Sequence, residues 1–107
     1  MQKCLMVIKI KPECREPYLD IHRNAWKEML QAIKEAGFIN ELIWYFEDQS
    51  IIYFECEDGD YEAANARLRQ TDVCKQWDLT VGPWFAAEPV MPEKIFDVNV
   101  QLEQGSL

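Results

Sequence analysis

Apolar and polar positions follow two different periods along this chain of 107 residues. Residues 2–10 (QKCLMVIKI) are dense in apolar and β-branched side chains and predict a well-buried strand. Lys11-Pro12-Glu13 ends it, because proline cannot donate to a ladder and restricts the residue before it. The period then lengthens to that of a helix. At roughly 100° per residue over 18–37, Leu19, Ile21, Ala25, Trp26, Met29, Leu30, Ala32 and Ile33 share one half of the cylinder. Asp20, Arg23, Asn24, Lys27, Glu28, Gln31, Lys34 and Glu35 fill the other. One helix is predicted, closed by Gly37 in a left-handed conformation.

Residues 38–46 (FINELIWYF) and 51–57 (IIYFECE) predict two strands. The polar turn residues Glu47-Asp48-Gln49-Ser50 join them as a hairpin. Asp58-Gly59-Asp60 breaks the chain, with Asp60 placed to cap a helix over 61–70. Thr71 or Asp72 caps a further helical stretch to about Trp77, and Gly82-Pro83 ends it. Residues 88–93 carry two prolines and read as a loop. In 96–102 (FDVNVQL) the alternation is strict, with Phe96, Val98, Val100 and Leu102 facing one way, so a last strand is predicted there. Residues 103–107 form a short, mostly polar tail.

The order strand, helix, strand, strand, helix, strand is the split βαβ pattern. It predicts one α+β domain over 1–107, ferredoxin-like βαββαβ, with both helices on one face of an antiparallel sheet. Nothing remains in the chain to cover the other face. Exposed apolar faces of that size become interfaces, so a homodimer closing sheet against sheet, a dimeric α+β barrel, is expected. The last strand and its tail are candidates to reach the partner.

Charge and composition narrow the partners. A net charge of −8 argues against nucleic acid and anionic membrane surfaces. No apolar run approaches the roughly 20 residues that span a bilayer, and the N-terminus lacks the pattern of a secretory signal. The four cysteines are widely spaced, without CxxC or HxxxH pairs, so no structural metal site is expected. Cys4 and Cys56 read as small core residues, and reduced thiols suit a cytoplasmic location.

Chemistry then falls to few residues. The single histidine, His22, lies on the apolar side of its helix, one turn from Tyr18 and one turn from Trp26. A titratable group at a core position marks a candidate site, although a hydrogen-bonded core histidine has the same signature. Polar and aromatic groups on otherwise apolar elements include Asn40, Trp44, Trp77 and Asp78. Indoles in a small acidic chain suit a monosaccharide, whose C–H faces pack on aromatic planes. Neither GxGxxG nor a Walker sequence is present. One imidazole and one phenol can move protons, which is all that sugar mutarotation requires: a proton leaves the anomeric hydroxyl while another reaches the ring oxygen.

The segment Pro12, Tyr18, His22, Trp26, Glu28 resembles the L-rhamnose mutarotase family, as do Gly37-x-x-Asn40 and Thr71-Asp72-Val73-Cys74-Lys75-Gln76-Trp77. The resemblance runs over roughly residues 1–85. It implies a dimeric ferredoxin-like fold and cofactor-free interconversion of the anomers of a 6-deoxy hexose. His22 would transfer the proton, Tyr18 would be its hydrogen-bonding or acid partner, and Trp77 would wall the sugar pocket. Asn40, Trp44, Asp78 and Glu41 are the further substrate-binding candidates. The chain departs from the family pattern at Glu41 and Asp78, where the family usually carries aromatics. Each carboxylate adds hydrogen-bond acceptors and removes stacking surface, so the sugar stays open between L-rhamnose, L-fucose and another pyranose. Two other readings fit the same fold: a cofactor-poor monooxygenase, and a non-catalytic module that binds a small ligand.

Overall fold

Strand β1 (Gln2–Lys9) forms where the buried run was expected, in a computed structural model that describes residues 1–105. A 3₁₀ turn at Pro12–Cys14 leads into helices α1 (Arg15–Arg23) and α2 (Lys27–Ala36). Strands β2 (Phe38–Phe46) and β3 (Gln49–Cys56) follow, then helices α3 (Tyr61–Arg69) and α4 (Asp72–Val81). A second 3₁₀ turn, Gly82–Trp84, and a short helix α5 (Val98–Gln104) complete the described chain. The tail expected over 103–107 is described only to Gly105, so its last two residues lie outside the described residues.

The sheet is antiparallel with order β1-β3-β2. Glu47 and Asp48 alone form the hairpin turn, both with positive φ (50° and 58°), and Phe46 pairs with Gln49. Such a two-residue loop matches the strand twist. The architecture is the expected ferredoxin-like α+β fold, with one substitution. The predicted last strand over 96–102 does not form. Asp97 caps α5 there, its Oδ1 accepting from the Asn99 and Val100 amides at 3.1 and 3.2 Å. The fourth position in the sheet goes to residues 85–90, which overlap the loop expected over 88–93. Phe85 bridges Ile10 and Val90 bridges Val7, with Ala86 N–H donating to the Lys9 carbonyl at 2.7 Å. That contact occupies the edge of β1, so the alternating segment finds no strand to pair with there and closes its hydrogen bonds locally as a helix.

The predicted single helix over 18–37 is also corrected: it is two helices. The Asn24 side chain turns back to the Asp20 carbonyl (3.3 Å), and Trp26 adopts an extended conformation that starts α2. Asparagine competes for backbone groups in this way, which loosens a helix interior. Gly37 closes α2 at φ 118°, as expected. Thr71 caps α4 through the Cys74 amide. Asp60 precedes α3 without capping it, because its carboxylate is turned to Arg67 at 3.0 Å.

The helices cover the inner sheet face, but the core is divided. Met29, Ala32, Ala36, Phe38, Cys56, Ala64, Leu68 and Cys74 form one cluster. Ile8, Ile10, Tyr18 and Ile52 form the other, and Phe54 packs against both. Cys56 and Cys74 are core residues, whereas Cys4 is only half-buried. The opposite sheet face carries the rows Leu5–Tyr53–Leu42 and Val7–Ile51–Trp44, with Trp44 55% exposed.

A Cβ added at Gly37 would sit 2.9 Å from Arg67 Nη2 and 3.3 Å from Asp60 Oδ2, in a left-handed backbone. Gly37→Ala is expected to cost about 1–2 kcal/mol, read as a lower urea midpoint with an unchanged m-value.

Candidate active site

Between the two core clusters lies a cavity of about 1000 Å³, bounded by the inner sheet face and by α1, α2, α3 and α4. That places it at the upper end of ligand sites, roughly 300–1,000 Å³. Its wall is mainly aliphatic and aromatic, with a few polar groups.

His22 lines this cavity from the last turn of α1. Its Nδ1 lies 2.7 Å from the Tyr18 carbonyl oxygen. A carbonyl only accepts, so Nδ1 carries the proton and donates. In the neutral ring Nε2 is then the lone pair, and among the described residues it accepts no hydrogen bond. Desolvation lowers the imidazole below its ordinary value, and the bond to the Tyr18 carbonyl partly offsets this. The ring is held on both sides. The Tyr18 ring lies 4.3 Å away at 37°, and Trp77 meets it edge-on at 5.2 Å and 89°.

Tyr18 is itself fixed. It is 2% exposed, and its hydroxyl donates to Ser50 Oγ at 2.6 Å, across from α1 to β3. Burial pushes its hydroxyl up to about 12, with the Ser50 bond opposing and Glu41 and Tyr45 adding. The phenol therefore stays protonated at neutral pH.

The sequence line Tyr18, His22, Trp26 is rearranged by the helix break. Trp26 reaches Trp77 edge-on at 5.2 Å, so Trp77 stands between His22 and Trp26. Opposite, a β-bulge between Phe38 and Asn40 resets the face of β2. Strict alternation from buried Phe38 would turn Asn40 inward. The bulge instead turns Glu41, Ile43 and Tyr45 inward, and Asn40 closes it, its Oδ1 accepting the Glu41 amide at 2.9 Å. Burial raises the Glu41 carboxyl to about 7, with Arg69 pulling it down only in part. Asp78 Oδ2 accepts from Arg69 Nη1 at 2.5 Å, tying α4 to α3 at the cavity wall.

Tyr18, His22, Glu41, Trp77 and Asp78 are thus brought together around one space. Asn40 sits exposed at its rim. Trp44 borders it along β2, but strand alternation carries its indole to the outer face. Among the described residues, no three His, Cys, Asp or Glu side chains converge as a metal site.

A family model described as L-rhamnose mutarotase matches residues 3–104. The chain belongs to the L-rhamnose mutarotase family. The L-rhamnose mutarotase of Lactiplantibacillus plantarum is 31% identical over 87 residues, 79% of this chain and 75% of that protein. The crystal structure of an L-rhamnose mutarotase from Formosa agariphila superposes with a TM-score of 0.73 at 14% identity, over 91% of this chain and 98% of that one. An antibiotic biosynthesis monooxygenase superposes at 0.64 with 15% identity, over 90% of this chain and all of that one (100%). At such identities the structural likeness shows the fold alone.

Ser50 and Arg69 were missed in the sequence of this family member. Ser50 reads as a hairpin residue, and Arg69 as one more charge on an ordinary helix; only the packing of β3 and α4 gives them partners.

Glu41 and His22 couple stability to pH with opposite signs. A raised carboxyl binds protons better folded than unfolded, so its contribution is complete below its unfolded value and is lost as pH rises through about 7. His22, lowered, contributes above its unfolded value and loses that as pH falls. Glu41→Gln is therefore expected to raise the melting temperature at pH 8, by roughly 5 °C, and to leave it unchanged at pH 5, as read by calorimetry.

Proposed function

We propose that the cavity interconverts the α and β anomers of L-rhamnose, with His22 as the proton-transfer residue. The observation that carries this reading is the tautomer of His22. Its Nδ1–H is held by the Tyr18 carbonyl, which leaves Nε2 as a free base on a ring that lines the cavity. A lowered imidazole is neutral at physiological pH, and so ready to accept.

Ring opening begins when Nε2 takes the proton of the anomeric hydroxyl. The C1–O5 bond breaks, C1 becomes a carbonyl, and the ring oxygen acquires a proton. After rotation about C1–C2 the steps run backwards and give the other anomer. Tyr18 acts as a positioning residue in this scheme: its carbonyl fixes the tautomer and its ring fixes the imidazole plane. Trp77 offers an indole for the sugar's C–H face. Asn40 and Asp78 supply rim and wall acceptors. Holding a pyranose against one positioned base is a modest demand, since the uncatalysed exchange already proceeds in water.

A second copy of the chain is the proposed cover for the outer sheet face. Leu5, Leu42, Trp44 and Phe46 are each exposed on one side of the sheet, a contiguous apolar patch of the kind that marks an interface. Among the described residues no helix is long and apolar enough to cross a membrane. Four free thiols fit a reducing compartment, and we place the protein in the cytoplasm.

Saturation-transfer NMR on L-rhamnose, with L-fucose and other deoxy sugars alongside, is expected to show accelerated anomer exchange for L-rhamnose. His22→Ala should lose about 100-fold or more of that rate with its circular dichroism unchanged. An unfolded His22→Ala would instead make the imidazole a core residue. For the assembly, sedimentation is expected to give a dimer, and a Leu42→Glu, Trp44→Glu double variant a monomer.

A further inference from the structure

We propose that Glu41 is a catalytic residue: its carboxyl, placed on the cavity floor by the β2 bulge, delivers the proton to the ring oxygen while His22 takes the one from the anomeric hydroxyl. The inference rests on the mutarotase reading and supplies the acid that reading leaves unassigned.

The obvious candidate acid is Tyr18, but its proton is directed to Ser50 inside the core. Asp78 is engaged by Arg69. Glu41 differs from both. Among the described residues its carboxylate accepts no hydrogen bond; the one bond recorded for the residue is made by its main-chain amide. No fully buried side-chain oxygen or nitrogen among the described residues lacks a partner, so the Glu41 oxygens open onto the cavity. The bulge that turns them inward is stapled by Asn40, which makes their direction a property of the backbone.

The charges around Glu41 keep its proton on. Around the cavity it shares, α1 contributes Tyr18, His22 and Arg23, α2 contributes Lys34, α3 contributes Tyr61 and Arg69, and α4 contributes Cys74 and Asp78. On its own strand Tyr45 points the same way. Arg69 pulls the carboxyl towards ionisation, and Arg69 is itself paired with Asp78. Burial dominates, and Glu41 holds its proton up to about pH 7. Burial lowers His22 below its ordinary value, so its imidazole loses its proton at a pH where Glu41 still keeps one. The pair is thus poised as one base and one acid at one pH, which is the state ring opening needs.

The step balances without any further reactant. Nε2 of His22 accepts the anomeric proton, the O–H electrons form the C1=O bond, and the C1–O5 pair moves to O5. O5 then takes the Glu41 proton, leaving imidazolium and carboxylate. On closure O5 attacks C1, Glu41 recovers its proton from O5, and imidazolium returns one to O1. Both residues end as they began.

The test is the pH dependence of saturation-transfer exchange on L-rhamnose, for the wild-type protein and for Glu41→Gln. In the wild type the rate should rise as His22 deprotonates and fall again near pH 7 as Glu41 ionises. Glu41→Gln, nearly the same shape, should lose about 100-fold in kcat with KM little changed, and the fall near pH 7 should vanish. Glu41→Asp should recover part of the rate. A carbon-13 titration of the Glu41 carboxyl in the wild type gives an independent midpoint, expected near 7. If Glu41→Gln keeps wild-type kcat, or keeps the alkaline fall, the assignment of Glu41 is overturned while the mutarotase reading stands. If the wild type exchanges no sugar at all, both are overturned.

Discussion

The hydrogen bond from His22 Nδ1–H to the Tyr18 carbonyl is the contact on which the site depends. It spans one helical turn, so α1 alone can form it. What gives it value is that Tyr18 is anchored elsewhere, through its hydroxyl to Ser50 on β3. The sheet therefore holds the phenol, the phenol's own backbone holds the imidazole, and Trp77 on α4 closes the far side of the ring. Three elements fix one tautomer and one plane. An imidazole so held needs little reorganisation should a proton move.

The same region shows why the cavity exists. Large side chains gather at both ends of the inner sheet face, around Phe38 at one end and Ile10 at the other. Between them the chain places groups that do not fill space well: an imidazole, a carboxylate and an ion pair. Burying the imidazole and the carboxylate costs solvation, which is why His22 is shifted down and Glu41 up. A fold can carry such groups when its remaining core is tight. Cys56, Cys74, Ala64 and Ser50 have no exposure at all, 0% for each, and small residues there let strand and helix approach closely.

Two local irregularities aim the site. At the break after Arg23, Trp26 leaves the helix and meets Trp77, whose ring also packs edge-on against His22. At the bulge after Phe38, the parity of β2 changes and a glutamate enters the cavity in place of an asparagine. Neither irregularity is a propensity effect of large size. Each persists because packing on both sides agrees with it.

Periodicity was enough to place β1, the β2–β3 hairpin, the two helical regions and the Gly37 terminus, because each is set by contacts a few residues long. It was also enough to put Tyr18 and His22 on one face, since both belong to one turn of helix. The chain's own pattern could not locate the fourth strand position. Residues 96–102 alternate more cleanly than 85–90, yet the edge of β1 pairs with the latter, and edge pairing is decided between distant segments. Nor could it show that Glu41 faces inward, that Ser50 anchors Tyr18 or that Arg69 answers Asp78. Those facts depend on register and on which helix packs over which strand. Local sequence determined most of the secondary elements, the identity of the proposed base and the carbonyl one helical turn away that its Nδ1–H meets; tertiary packing alone decided which carboxyl enters the cavity beside it.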